Sequence, residues 1–208
     1  MNTLTAPPYQ NDSLNKIYQL LFCDDLTLFP ADTKESTVYP WNIIFAPVPK
    51  VEQLRQLIAD PTTETRVKLL AYHILASTQQ PITSKDLLGI VIEVGMEEGL
   101  DVLAAYEDGS ARYINHSEKI IFLEAPTDKS TKLITDLFTE GRQVVKMIGP
   151  WDQKRPEPPL PGDIRLNFLV ADGLYFGQGP FEMLAKDPMG APVIKCATDL
   201  MIFLTEQQ

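Results

Sequence analysis

Three side chains in the middle of the chain are of the types that acid–base chemistry needs: Asp101, Arg112 and His116. An imidazole held by a carboxylate can take and return a proton near neutral pH, and a guanidinium beside them can hold an anionic substrate. Whether they meet depends on Asp108-Gly109, which separates two β-rich runs. That dipeptide favours a two-residue type I′ turn, because both of its residues reach positive φ at low cost. With such a loop Glu107 faces Ser110, Tyr106 faces Ala111, Leu103 faces Ile114 and Asp101 faces His116. Asp101, Leu103, Ala105, Arg112, Ile114 and His116 then share one face of the sheet, and Val102, Ala104, Tyr106, Ala111, Tyr113 and Asn115 the other. Both faces are part apolar, so both call for cover by other elements. The competing reading of Asp101 and His116 is an ordinary cross-strand ion pair. No serine or cysteine is placed as a nucleophile, and no G-x-S-x-G elbow exists.

Other candidates carry weaker chemistry. Glu93, Glu97, Glu98 and Asp101 cluster around one turn, but their spacing matches no calcium loop, and a solvated hairpin tip is expected. With two histidines and two distant cysteines, Cys23 and Cys196, no metal site is expected. Gly177-Gln-Gly179 lacks the third glycine and the βα context of a nucleotide fingerprint, so no cofactor is expected. Residues 150–162 are too rich in proline for a helix or a central strand. Within them Trp151, Arg155, Pro158 and Pro161 form a candidate ligand or partner surface, since R-x-x-P-x-x-P can dock in aromatic grooves as a polyproline helix. The alternative is a stiff connector between elements.

The elements that must position these residues are legible from periodicity and punctuation. Ile90–Met96, turning at Glu97-Glu98-Gly99, opens a meander that spans about 90–124, with the pairing of 90–96 open to a one-residue slip. A second hairpin spans about 164–178 around Asp172-Gly173. Apolar residues at helical spacing mark helices after Asp12-Ser13, from Val51, after Thr62 or Thr63, from Thr127 or Asp128 to about Ile148, and after Pro192. Trp41–Ala46 reads as a strand, and Ser84–Leu88 as a helical turn. Residues 1–10 are expected to be flexible. The stretch GLDVLAAYEDGSARYINHSEKIIFLE, residues 99–124, resembles a segment of an uncharacterised bacterial protein family, and that resemblance implies no activity.

Composition bounds the rest. With 208 residues and 44% hydrophobic content the chain can bury a core of its own. A formal charge of −10 argues against phosphate-backbone partners, so no nucleic acid is expected. Apolar runs far shorter than a bilayer span, and an N-terminus without basic and apolar signal regions, give the expectation of a cytoplasmic protein with no membrane partner. Strands grouped beside helices indicate a single α+β domain with a mainly antiparallel sheet built on the meander and the second hairpin. The leading functional expectation is a non-enzymatic module that binds a protein or a small ligand. Its rivals are a small hydrolase or transferase using Asp101, His116 and Arg112, and a structural subunit of a homo-oligomer.

Overall fold

The computed structural model describes residues 7–29 and 37–207. Six antiparallel strands form one sheet: β1 (Leu87–Met96), β2 (Gly99–Tyr106), β3 (Ala111–Ile114), β4 (Ile120–Leu123), β5 (Asp163–Val170) and β6 (Gly173–Pro180). Their order across the sheet is β4-β3-β2-β1-β5-β6, so the meander and the second hairpin join where β1 pairs with β5. The fold is therefore α+β, with a sheet sandwiched between two helical layers.

On one face lie α1 (Asp12–Leu20), α2 (Trp41–Ile44), α3 (Val51–Ala59) and α4 (Thr65–Ser77). Their apolar stripes bury Leu14, Tyr18, Leu54, Leu57 and Leu70 against Val91, Val102, Ala104, Tyr106 and Ile114 of the sheet. The other face is covered by α5 (Asp128–Val145) and α7 (Gly190–Glu206), which close over Ile90, Leu103, Ala105, Phe168 and Tyr175. A short helix, α6 (Phe181–Leu184), follows β6 directly. Capping fixes the helix starts. Asn11 accepts hydrogen bonds from the backbone of Ser13 and Leu14, and Thr127 and Ser130 form a reciprocal capping box. Gly141 lets α5 lie close on the sheet, since a Cβ there would come within 2.8 Å of the Ile90 side chain.

Several expectations give way. Trp41–Ile44 is helical, not a strand: a short apolar run cannot declare its type by periodicity, and here it fills a space between helices. Ser84–Leu88 is not helical; the Ser84 hydroxyl is engaged by the Asp86 carboxylate, and β1 begins at Leu87. Residues 1–6 of the expected flexible segment lie outside the described residues. Tyr9, at its other end, is buried, with its hydroxyl donating to Leu100 O at 2.9 Å.

The decisive correction is the β2–β3 register. Leu103 pairs with Tyr113, Ala104 with Arg112 and Ala105 with Ala111, one residue away from the two-residue loop. The loop holds three residues, Glu107, Asp108 and Gly109, because Tyr106 N–H donates to Ser110 O and Gly109 takes φ +87°. Asp108 makes the longer loop worthwhile. Its Oδ2 accepts from Thr65 N at the start of α4 while its Oδ1 accepts from Ser110, so the turn and a helix N-terminus hold each other. The slip carries Arg112 to the opposite face of the sheet from Asp101 and brings Tyr113 onto the Asp101 face.

Candidate functional site

Asp101 and His116 do meet, by a route other than strand pairing. His116 lies beyond the last β2–β3 pair, in the turn before β4, and the chain there folds back onto Asp101. Asp101 Oδ1 accepts the His116 backbone N–H at 2.7 Å and lies 2.8 Å from His116 Nδ1, while Oδ2 accepts from the Tyr113 hydroxyl at 3.0 Å. Burial, and then the Asp101 charge, hold the Tyr113 phenol well above its ordinary range. The His116 side chain is 43% exposed and lines a broad polar depression of about 860 Å³ with Pro7–Gln10, Glu97, Glu98 and Ser117. Ser117 Oγ donates to Asn115 rather than to the imidazole. Arg112 is far from acting with them. It lies buried between the Tyr106 and Phe122 rings and donates to Glu124 at 2.8 Å.

The α1–α4 face of the sheet holds a cluster that sequence reasoning missed. Glu93, placed by its sequence neighbours at a solvated tip, is instead wholly buried mid-strand. Its carboxylate accepts from the Tyr18 hydroxyl at 2.5 Å, from Asn167 Nδ2 at 2.8 Å and from Arg165 Nη1 at 3.3 Å. Burial, then Glu93, push the Tyr18 phenol far up. The signal was present as alternation. Arg165 and Asn167 alternate with apolar residues in β5, Glu93 is the lone charge in β1, and β1–β5 pairing sets all three on one face.

This cluster anchors the proline-rich segment. Arg165 donates to Pro156 O at 3.2 Å and to Glu157 O at 2.5 Å, pinning residues 150–160 as a strap across that face. Further along, the strap passes so close to β1 that a Cβ on Gly95 would stand 2.1 Å from Leu160 O. Arg155 turns inward: its guanidinium stacks 3.8 Å from the Phe22 ring centroid and bonds Asp24 Oδ2 at 2.8 Å and Gln19 Oε1 at 2.5 Å. The R-x-x-P-x-x-P segment is thus not free to offer its arginine to an outside groove.

Between the strap and the helices runs a cleft. Its mouth, about 620 Å³, is lined by Gln19, Asp24, Asp25 and His73 on one side and by Trp151, Arg155, Pro156 and Pro158 on the other. Asp24, His73 and Leu174 also line an adjoining apolar pocket of about 120 Å³, itself open to the surface and walled by Phe22, Leu69, Ala76 and Leu169. Trp151 packs edge-on to Phe176 at 5.1 Å between centroids. Of the four residues expected as a ligand or partner surface, Trp151, Arg155 and Pro158 line this mouth, whereas Pro161 is exposed, between the close approach of Leu160 to Gly95 and the Gly162 N–H bond to Gly95 O. Among the described residues no group of His, Cys, Asp and Glu is arranged to hold a metal, and no helix is long and apolar enough to cross a membrane.

Compared with known proteins, the chain matches no family model and no curated protein. The site has to be read from its own geometry.

Proposed function

We propose that this chain is a non-enzymatic binding protein that seats a small ligand in the strap cleft. The observation that carries the reading is the cleft's composition: an apolar pocket adjoining a more polar one, with an aromatic and an arginine on the polar pocket's wall. Ligand sites are typically concave and mostly apolar, with a few polar groups that set orientation. The apolar pocket suits a small apolar body, and the polar pocket beside it suits a polar end that reaches water. Arg155 is already neutralised by Asp24, so the ligand need not be an anion. The acidic chain disfavours nucleic acid as the occupant.

The test is an amide-resolved NMR screen of small apolar–polar fragments against the protein and against Ala76→Trp, which plugs the exposed rim of the apolar pocket. The expected result is a fragment that shifts amides of Leu69–Ala76 and Leu174 in the first protein and not in the second. A screen in which no fragment perturbs the cleft, or in which the plugged variant binds equally well, rejects the reading.

One observation favours a second reading, a hydrolase or transferase: the 2.8 Å contact between Asp101 and His116 beside an open depression. It lacks a nucleophile and, with Arg112 on the other face, its anion holder. Turnover of an ester or phosphoryl substrate that disappears in His116→Ala at unchanged melting temperature would establish it over the binding reading.

A further inference from the structure

The outer edge of β6 is a second surface, adjoining the strap cleft at Trp151 and Leu174. β6 pairs with β5 on one side and ends the sheet on the other. In an antiparallel strand the N–H and C=O of one residue point to the same side, and successive residues alternate. Leu174 O accepts from Trp151 N at 2.7 Å, away from β5, so Leu174 is an outward residue and Phe176 and Gln178 are outward with it. Among the described residues no hydrogen bond reaches the backbone of Phe176 or Gln178 from that side. The free window is bounded. Trp151 occupies the edge at Leu174, and Pro180, the next outward position after Gln178, has no N–H.

Edge strands are normally blunted with charge, and Gly173–Pro180 contains none, in a chain with a formal charge of −10. The window Phe176-Gly177-Gln178 is symmetric about Gly177. Laid antiparallel on itself, Phe176 of one copy faces Gln178 of the other, and each such pair exchanges two backbone hydrogen bonds. The residue between them, where the two backbones come closest, is Gly177, and a Cβ there would meet nothing within 4 Å in the folded chain. Beyond these pairs the two strands diverge, since Trp151 takes the edge at Leu174 and Pro180, which would face Leu174, has no N–H. Trp151, packed on Phe176, and Met183, in the helix that follows β6, are exposed beside the seam.

We infer that two copies of this chain associate through β6, antiparallel about a two-fold axis at Gly177, joining two six-stranded sheets into one. A second copy fits better than an unrelated extended peptide for two reasons. The window is too short to hold a peptide by its backbone alone, and a second copy brings its own flanking apolar side chains. An uncharged strand also lets two acidic chains meet without like charges along the seam.

The test uses charge at the axis. Sedimentation equilibrium is run on the full chain, on Gly177→Asp, on Gly177→Lys and on an equimolar mixture of the two variants, with melting temperature as the control for folding. The inference expects a dimer for the unsubstituted chain, about fivefold weaker dimerisation for each variant alone, and recovery in the mixture, where opposite charges meet across the axis. A monomeric unsubstituted chain overturns it and turns attention to a peptide partner. A dimer unmoved by either substitution, or variants that weaken without rescue on mixing, overturns it as well, since the interface then lies elsewhere.

Discussion

The molecule contains two versions of one arrangement, on opposite faces of the sheet. Glu93 is bonded by a tyrosine hydroxyl and a guanidinium, and Asp101 by a tyrosine hydroxyl and an imidazole. Glu93 and Arg165 have 0% and 1% of their side chains exposed, whereas Asp101 and His116 have 24% and 43%. Water can replace a lost partner at the second site and cannot at the first. A buried carboxylate left without its cation keeps its full desolvation cost, so breaking such a pair is far more damaging than breaking an exposed one. The same chemistry therefore makes a structural clamp at Glu93 and a loosely held, accessible contact at Asp101.

The largest expected effect comes from alkali, which attacks the Glu93 face. Burial pushes the Cys23 thiol up to about 12, and pushes the Tyr18 and Tyr106 hydroxyls well above their ordinary range. The folded state holds these protons after the unfolded chain has released them. The stability they confer is complete below about pH 9 and is lost as pH rises toward the folded-state values. Each group contributes up to about 1.4 kcal/mol per pH unit, so the three together lose on the order of 4 kcal/mol per unit above about pH 10. Against a typical total of about 5–15 kcal/mol, unfolding is expected by roughly pH 12. A circular-dichroism titration that stays native beyond that point would break the assignment of these three groups as buried.

Next comes Arg165→Met, which orphans Glu93 and releases two strap carbonyls. It should cost about 3–5 kcal/mol in denaturant unfolding, and a Glu93→Leu/Arg165→Met double variant should recover much of that loss. The single variant should also become more sensitive to trypsin after Lys154, because the strap, though it keeps its anchors at Arg155 and Trp151, loses those at Pro156 and Glu157. A loss below about 1 kcal/mol would show that the two carboxylates differ in burial without differing in consequence.

The same contrast explains what the sequence disclosed. Antiparallel α+β architecture and the capped start of α5 were local or periodic signals, and periodicity survives folding. Arg112 was misplaced because one turn carried the whole register, and Asp108 chose a three-residue loop to bond Thr65, which lies 43 residues earlier in the chain. No local rule contains that partner. Asp101 and His116 were paired correctly from an incorrect register, since the contact is made by the turn after β3. Glu93 was read with its neighbours Glu97 and Glu98, although it is a lone charge in an apolar run and β5 alternates Arg165 and Asn167 with apolar residues. The cleft needed the strap's path over the sheet, which follows from long-range bonds to Arg165 and Asp24 that proline content does not encode.

A sharper form of the comparison substitutes the two tyrosines alike. Tyr18→Phe leaves a buried, charged acceptor without its donor and should cost about 1–3 kcal/mol. Tyr113→Phe removes the corresponding hydroxyl at Asp101, where solvent can enter, and should cost less than about 1 kcal/mol. Equal losses in the two variants, measured by thermal unfolding at neutral pH, would place both carboxylates in equivalent surroundings.

The smallest effect is expected from His116→Ala. The imidazole is nearly half exposed, and the Asp101 carboxylate keeps its bonds from the His116 backbone N–H and from Tyr113. The turn before β4 should therefore hold its conformation, with a change in unfolding free energy of less than about 1 kcal/mol. A side chain that contributes so little to stability while sitting on the rim of a broad depression is free to be substituted without confounding a functional assay. If His116→Ala instead cost as much as Arg165→Met, the imidazole would be a second structural clamp. The contrast between the two faces would then collapse, and the catalytic reading of the pair would lose its exposed base.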